Sequence, residues 1–258
     1  MVKQLMYKIL EARELTTNIY LMVVEAPRVA KNCQPGQFVI VRMDKDGERI
    51  PLTICDYDRE KGTITIVFQT VGAETTRMVA LKAGDSFHDF VGPLGCASEM
   101  VSEDKGELAK KKILFVGTAP VYPQVKWLHN NGVAADVIVG AKNHDLLILE
   151  KEMKAVAGNL YVTTDDGSYG RKGMVTQTIQ ELVDEGKKYD LCIAIGPMIM
   201  MKFVCKLTKE LGIPTIVSLN PIMVDGTGMC GACRVTVGDK VKFACVDGPE
   251  FDGHLVNF

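Results

Sequence analysis

The sequence predicts an α+β multidomain fold in three consecutive parts: an antiparallel β domain (residues 1–100), an α/β domain (101–218) and a small C-terminal module (219–258). In the first part, short runs rich in valine, isoleucine, phenylalanine and threonine are separated by turn signals such as Pro35-Gly36. That pattern is typical of an antiparallel barrel or sandwich. In the second part, apolar strands alternate with amphipathic stretches of helical length, which indicates a parallel sheet covered by helices.

The β domain has one segment of predicted helical character, Glu74 to Leu81, which lies between its last clear strand and the turn at Ala83-Gly84. The charged stretch from Ser98 to Lys112 predicts an exposed linker to the second part. The clearest strands of this domain are Ile19–Val24, Gln37–Arg42 and Thr63–Gln69.

The α/β domain has five predicted strands, and the C-terminal module follows them with a hairpin. The hairpin pairs Arg234–Val237 with Val241–Ala244 and turns at Gly238-Asp239. The five strands of the parallel sheet are Ile113–Val116, Ala135–Val139, Leu160–Thr163, Leu191–Ile195 and Thr215–Ser218.

Composition excludes several classes of function. Thirty basic against thirty-two acidic side chains give a net charge of -2, so no field steers the chain onto nucleic acid. No run of eighteen apolar residues is present, and we expect no membrane span. The N-terminus lacks the pattern of a signal peptide, which predicts a cytoplasmic protein. In such a chain, eight cysteines point to thiols or metal ligands rather than disulfides.

The strongest motif is Asp225-x4-Cys230-x2-Cys233-x11-Cys245. Plant-type [2Fe-2S] centres use C-x4-C-x2-C with a distant fourth cysteine, and this segment matches that spacing with aspartate in the first position. Small residues fill the loop, as close wrapping around a cluster requires. Two alternatives stay open: a zinc knuckle completed by Asp225 or His254, and a set of buried cysteines that bind nothing.

Two motifs in the β domain fit a flavin. Arg49-Ile50-Pro51-Leu52-Thr53 places a guanidinium, which can pair with a pyrophosphate, near a hydroxyl that can bond an isoalloxazine nitrogen. Gly72-Ala73-Glu74-Thr75-Thr76 opens the predicted helix, so its N–H groups and hydroxyls face any bound phosphate. Taken singly, Arg49 would be a surface charge and Thr75 a helix cap.

Three loops at the carboxyl ends of predicted parallel strands can line one nucleotide crevice, since an open α/β sheet binds ligands at that edge. Each is alternatively an ordinary strand-to-helix turn. The loops are Gly117-Thr118-Ala119-Pro120, Asp166-Gly167-Ser168 (after Asp165) and Gly196-Pro197-Met198.

With these residues in place, the chain resembles the ferredoxin-reductase-like family of flavoprotein subunits. The resemblance rests on the motifs above together with Pro35-Gly36-Gln37-Phe38, Gly92-Pro93-Leu94-Gly95 and Ala119-Pro120. It implies an FAD-binding β-barrel, a Rossmann-like NAD-binding domain and a [2Fe-2S] module. FAD would be held by Arg49, Pro51, Leu52, Thr53, Gly72, Thr75 and Thr76, and NAD(H) by the three loops of the crevice.

Two branches of the family carry such a C-terminus: the electron-transfer subunit of dihydroorotate dehydrogenase B and the small subunit of NADH-dependent ferredoxin:NADP oxidoreductase. An aspartate as first ligand is a feature of the second branch, as is the ending from Cys245 to Gly253. The resemblance therefore implies an oxidoreductase subunit that passes electrons from NADH through FAD and the cluster to a larger flavin and iron-sulfur partner, in a heterodimer or larger complex. That complex would couple NADH, NADPH and ferredoxin by electron bifurcation.

The loop at Gly117 departs from the family, which usually has the longer turn G-G-G-x-G-x-A-P. Fewer N–H groups are then available to hold a pyrophosphate. This departure motivates an alternative function, a relay module that keeps FAD and cluster but has lost productive NAD binding.

Overall fold

The computed structural model describes residues 7–258. Residues 7–94 form a seven-stranded antiparallel sheet in the order β6-β1-β2-β5-β4-β3-β7, which confirms the predicted barrel. Its interior is filled by alternating side chains such as Ile64, Ile66 and Phe68, as the two-residue period of a strand requires. The strands are β1 (Tyr7–Thr16), β2 (Ile19–Glu25), β3 (Phe38–Arg42), β4 (Ile50–Asp58), β5 (Thr63–Gln69), β6 (Ser86–Phe87) and β7 (Asp89–Leu94).

The barrel carries two helices, α1 (Pro27–Asn32) and α2 (Ala73–Met78). The prediction of a single helix was therefore wrong. Helix α1 is only six residues long, too short for a helical period to show in the sequence. It starts with a proline, whose fixed φ suits the first turn of a helix, and buries Val29 and Ala30 against the barrel.

The predicted parallel sheet is confirmed, in the order β11-β10-β9-β8-β12-β13-β16, where β16 is the C-terminal strand Glu250–Asp252, and all pairs are parallel except the last. Helices cover both faces. The strands are β8 (Ile113–Val116), β9 (Asp136–Ala141), β10 (Asn159–Thr164), β11 (Arg171–Lys172), β12 (Leu191–Ala194) and β13 (Thr215–Ser218). The helices are α3 (Lys105–Leu108), α4 (Tyr122–Asn130), α5 (Glu150–Val156), α6 (Val175–Asp184) and α7 (Met198–Glu210).

The connection from Ser98 to Lys112 is not the exposed linker that its charge predicts. It contains a short 3-10 helix and α3, and it buries Ser98, Met100 and Leu108 almost completely. Met100 and Leu108 pack beneath the parallel sheet. The charged side chains of this stretch surround these buried residues. A count of charges alone therefore does not reveal that Met100 and Leu108 are buried.

The C-terminal module contains the predicted hairpin, β14 (Arg234–Val237) and β15 (Lys240–Phe243), and a last strand, β16 (Glu250–Asp252). Strand β16 adds antiparallel to β13 at the edge of the parallel sheet. Cys233 and Cys245 belong to one hydrophobic cluster with residues of both the sheet and the barrel, including Phe38 and Ile40. The domain boundaries predicted near residues 100 and 218 stay predictions.

Within residues 7–258, the structure contains no helix with the length and apolar character needed to cross a membrane.

Candidate cofactor sites

Two of the four predicted cluster ligands already lie together. The Sγ atoms of Cys233 and Cys245 are 3.3 Å apart, and both residues are buried. Two thiolates on one tetrahedral ion, with bonds of about 2.3 Å, stand roughly 3.8 Å apart. Burial and the neighbouring Cys233 thiol raise the pKa of Cys245. A metal ion that binds the Cys245 thiolate must therefore displace the thiol proton.

The other two predicted ligands lie on the outer side of the loop. Asp225 accepts hydrogen bonds from the backbone N–H groups of Thr227, at Oδ1, and Cys230, at Oδ2, both at 2.8 Å. The N–H of Thr227 holds the pKa of Asp225 below its usual range; partial burial opposes this and the N–H of Cys230 adds to it. The carboxylate is therefore anionic, as a metal ligand must be, and the Cys230 thiol beside it is exposed.

The four predicted ligands are chemically suited to an iron-sulfur cluster, although their side chains do not converge on a single metal position. No three His, Cys, Asp or Glu side chains within residues 7–258 converge closely enough to hold a metal ion. The thiol pair on the inside and the anionic Asp225 with exposed Cys230 on the outside would instead supply two ligands to each of two irons. His254 takes no part, because its Nε2 lies 3.1 Å from the Thr208 hydroxyl, which counts against the His254 version of a zinc knuckle.

The cluster loop is seated directly on the barrel. The Nε of Arg49 donates to the backbone oxygen of Val224 at 2.5 Å, and Val224 precedes the first predicted ligand. A Cβ on Gly226 would lie only 2.7 Å from side-chain carbons of Ile40 and Leu94, and the φ of Gly226 is +75°. Only glycine allows this close approach. The flavin motif at Arg49 and the cluster loop are therefore in contact.

The remaining flavin-motif residues follow Arg49 along β4, with Leu52 packed against the barrel core and Pro51 and Thr53 on the opposite face. Pro51, Leu52 and Thr53 are half-buried, and Thr53 pairs with Phe38 of β3. The Arg49 side chain is about 25% exposed, and its Nη1 lies 3.3 Å from Asp89 of β7. Arg49 thus keeps donor capacity for a phosphate while two fixed contacts orient it.

In the predicted phosphate loop at the start of α2, the Thr75 hydroxyl binds backbone N–H groups next to the helix rather than remaining free for a phosphate. Thr75 Oγ1 accepts from the N–H groups of Val71 and Gly72, at 3.1 and 3.0 Å, and Thr75 is buried. The exposed Thr76 donates to the Gly72 oxygen at 2.9 Å. The capping alternative for Thr75 therefore describes its contacts, and Gly72 and Thr76 remain accessible from outside.

Two of the three predicted nucleotide loops line one cavity of about 270 Å³ between the parallel sheet and barrel strands β2 and β5. The sheet contributes Gly117, Thr118, Ala119, Pro120, Gly196 and Pro197, and the barrel contributes Ile19, Val67, Phe68 and Gln69. Met198 is not part of this wall; it is 63% exposed at the start of α7, and Met200 faces the cavity instead.

The third predicted loop, residues 166–168, forms a hydrogen-bonded turn and does not line the cavity. Asp166 Oδ1 accepts from the Ser168 N–H at 2.8 Å, and the Ser168 hydroxyl accepts from the His144 N–H at 2.9 Å. Gly167, with φ +75°, packs on Lys172. Asp166, Gly167 and Ser168 thus form a turn at the end of β10.

The short loop at Gly117 leads straight into α4. Residues 117–121 alone separate β8 from Tyr122, the first residue of the helix. Gly117 has φ +147°, and a Cβ there would lie 2.3 Å from the backbone oxygen of Ile195. Gly117 is therefore fixed by close packing of two strand ends, at the edge where an α/β sheet binds nucleotides.

Sequence reasoning missed the barrel side of this cavity and three residues of the α/β part: Gly140 in β9, Ile148 in the connection before α5, and Met200 in α7. Their apolar character gives no local signal. Only the packing of the barrel against the sheet brings Ile19 and Phe68 opposite Gly117.

The fold and the paired sites define an electron-transfer flavoprotein of the ferredoxin-reductase type. The family model described as the iron-sulfur cluster binding domain of dihydroorotate dehydrogenase B matches residues 220–257. A Thermotoga maritima protein called dihydroorotate dehydrogenase B (NAD(+)), electron transfer subunit homolog, is 45% identical over 97% of this chain and 87% of its own length. An uncharacterised Clostridium beijerinckii protein encoded in the adh 3' region is 66% identical over 98% of this chain and 87% of its own length.

A solved structure concerning flavin-based electron bifurcation by an NADH-dependent reduced ferredoxin-NADP oxidoreductase superposes with a TM-score of 0.90. It is 43% identical and covers 100% of this chain and 91% of its own. The chain belongs to the family of dihydroorotate dehydrogenase B electron-transfer subunits and their homologues. The predictions of an electron-transfer subunit and of FAD, a [2Fe-2S] cluster and NAD(H) as cofactors are confirmed at the level of the family. The individual site residues stay predictions.

Proposed function

We propose that this chain is the small subunit of an NADH-dependent, electron-bifurcating ferredoxin:NADP oxidoreductase. The observation that carries the proposal is the bond from Arg49 to Val224, which joins the flavin motif to the cluster loop. Such an arrangement suits an electron path from a flavin to a [2Fe-2S] centre within one chain. The match to the bifurcating oxidoreductase and the aspartate at position 225 favour this branch.

In this function, FAD supplies the exchange between two-electron and one-electron chemistry. Arg49 orients and neutralises the pyrophosphate, and Thr53 offers its hydroxyl to the isoalloxazine edge. Gly117 to Pro120, with Gly196 and Pro197, let a nicotinamide nucleotide approach the barrel face of the cavity. Asp225, Cys230, Cys233 and Cys245 hold the cluster. No acid or base pair is required, because hydride transfer to a flavin needs none.

We also propose a larger partner subunit that carries further flavin and iron-sulfur groups and covers the cluster loop. Apolar side chains are strongly exposed around the predicted ligands: Ile222 is 80% exposed and Met229 88%. Val224 and Val246 extend the same surface, at 50% and 45%. An exposed apolar patch rimmed by polar groups is typical of a protein interface. The proposed compartment is the cytoplasm, where thiols stay reduced.

Two other functions remain candidates. The electron-transfer subunit of a dihydroorotate dehydrogenase is favoured by the family model at residues 220–257. A relay module without productive NAD binding is favoured by the short loop at 117–121 and by the closed turn at Ser168.

Anaerobic stopped-flow mixing with NADH separates these functions. Our proposal predicts fast bleaching of the flavin followed by reduction of the cluster, and then NADP-dependent reoxidation when the partner subunit is present. No bleaching by NADH supports the relay module. Electron delivery to a dihydroorotate-oxidising partner, but none to NADP or ferredoxin, supports the dihydroorotate branch.

A further inference from the structure

The segment Gly248–Glu250, shortly after Cys245, bonds to two other parts of the molecule. The backbone oxygen of Gly248 accepts from the Cys96 N–H, just beyond barrel strand β7, at 2.7 Å. The oxygen of Pro249 accepts from the Leu219 N–H, just beyond β13, at 2.9 Å. This segment therefore fixes the cluster-bearing chain relative to both the barrel and the parallel sheet.

The side chain of Glu250 extends this contact to α4. Its Oε1 accepts a hydrogen bond from Gln124 Nε2 at 2.5 Å, and Gln124 is fully buried in the first turn of the helix that begins at the nucleotide cavity. Gly36 of the barrel packs on the same group, because a Cβ there would lie 3.0 Å from Oε1 and 2.9 Å from the Ser98 nitrogen. Glu250 is thus a contact point among barrel, α4 and cluster segment.

Three buried polar atoms at this point have no hydrogen-bond partner within the described chain: Glu250 Oε2, Gln124 Oε1 and Ser98 Oγ. An ionised carboxylate and an amide oxygen can only accept, so they cannot satisfy each other. The Ser98 hydroxyl can donate to only one of these two oxygens, and a carboxylic acid with its proton on Oε2 supplies the second donor. The neutral form of Glu250 is therefore the one that completes the contact.

The surroundings also favour the neutral form. Burial of the carboxyl group is the largest effect on the pKa of Glu250 and raises it, and the charge of Glu99 raises it further. The neighbouring donors Ser98 and Gln124 lower it, and the resulting pKa is about 7. Four charged or titratable side chains line the adjacent cavity with it, namely Glu99, Lys209, Asp252 and His254. Neither Lys209 nor His254 pairs with Glu250 in the part of the chain described.

We propose that Glu250 is a positioning residue for electron transfer: its carboxylic acid holds the cluster-bearing segment against the barrel and α4, and its ionisation loosens this contact. The inference rests on the proposed function for the electron-transfer step, because it assumes that flavin and cluster exchange electrons within the chain. The structural part, a proton that stabilises the contact, stands without it.

The first test is the pH dependence of the free energy of unfolding. The folded-state pKa of Glu250 lies above the unfolded value, so its contribution is fully present below about pH 4.5 and is lost as the pH rises towards about 7. Between these values the unfolding constant changes by up to tenfold per pH unit. In Glu250→Gln, the amide accepts from Gln124 and donates where the acid did, so this component of the slope disappears.

Glu210→Gln is the matched control, since Glu210 is an exposed carboxylate at the end of α7. We expect it to keep the wild-type slope. At pH 8, Glu250→Gln should be more stable than the wild type, and at pH 4 the two should be equal. Identical pH profiles for the wild type and Glu250→Gln would overturn the inference.

The second test follows cluster reduction by photoreduced flavin in the FAD- and cluster-loaded chain. The wild-type rate should fall with a midpoint near pH 7, while Glu250→Gln stays fast at higher pH. A stability difference without a rate difference would contradict the positioning role. A chain that binds neither flavin nor iron would instead contradict the proposed function, and the unfolding measurements would still decide the role of the proton.

Discussion

The barrel packs tightly against the cluster loop, whereas it leaves an open cavity where it meets the predicted nucleotide loops. Arg49 bonds directly to Val224, and Gly226 packs at a distance that excludes any side chain. The nucleotide cavity is an open space of about 270 Å³, reached by two of three predicted loops. The difference indicates that the contact between the flavin motif and the cluster loop is preformed, whereas the proposed nucleotide site depends on a few glycine and proline positions.

The largest effect is expected at the buried thiol pair. Cys245→Ser should reduce iron from about two per chain to almost none, because the variant removes a thiolate from the innermost ligand pair. Iron analysis and visible absorbance check this. Cys96→Ser is the control, because Cys96 is an exposed free thiol outside the predicted ligand set; its Sγ donates to the Val246 oxygen at 3.2 Å, a bond that a serine hydroxyl can also make. Full iron content in Cys245→Ser would remove Cys245 from the ligand set.

A smaller but still large effect is expected for Arg49→Ala. The variant loses a charge-assisted bond to phosphate, worth about 1.5–3 kcal/mol, so flavin should bind roughly 10- to 100-fold more weakly. Flavin titration by fluorescence measures this. Arg28→Ala, an exposed arginine of α1, should bind flavin like the wild type. Unchanged affinity in Arg49→Ala would separate this motif from the flavin.

On the nucleotide side, Gly117→Ala should slow flavin reduction by NADH and destabilise the chain by about 1–3 kcal/mol. The new Cβ would lie 2.3 Å from the Ile195 oxygen, so the two strand ends must move apart. Gly132→Ala is matched, since Gly132 has φ +76° and no heavy atom within 4 Å of a new Cβ. Gly132→Ala should lower the free energy of unfolding but leave flavin reduction by NADH unchanged. Normal NADH kinetics in Gly117→Ala would mean that this loop does not contact the nucleotide.

The smallest effect concerns the outer ligand. Asp225→Cys should keep its iron but shift the midpoint potential, because a thiolate replaces a harder carboxylate. The turn also loses two hydrogen bonds, worth about 0.5–1.5 kcal/mol each. Redox titration followed by EPR measures the shift, with Asp239→Asn in the hairpin turn as control. An unchanged potential would contradict a tuning role for Asp225.

Periodicity was enough to predict five of the six parallel strands, and β8 and β13 have the predicted bounds; β11, with two residues, is too short to show a period. The same signal failed where packing decides the structure. Helix α1 is too short to show a period, and Met100 and Leu108 anchor a stretch whose charges predict exposure.

Ligand spacing located the cysteine cluster, because a local loop and its glycines carry that signal. No comparable local signal marks Glu250 or the barrel wall at Phe68, which meet their neighbours only in the folded chain. The cap formed by Thr75 could not be predicted either, since a hydroxyl in the first turn of a helix can bond a phosphate or the N–H groups before the helix equally well.

The most direct test of an internal path from flavin to cluster is an anaerobic absorbance and EPR spectrum of the purified chain, with flavin, iron and zinc quantified in one sample. We expect about one flavin and two irons per chain, with a rhombic [2Fe-2S] signal after reduction. Zinc without flavin would contradict this expectation and leave a metal-stabilised binding protein.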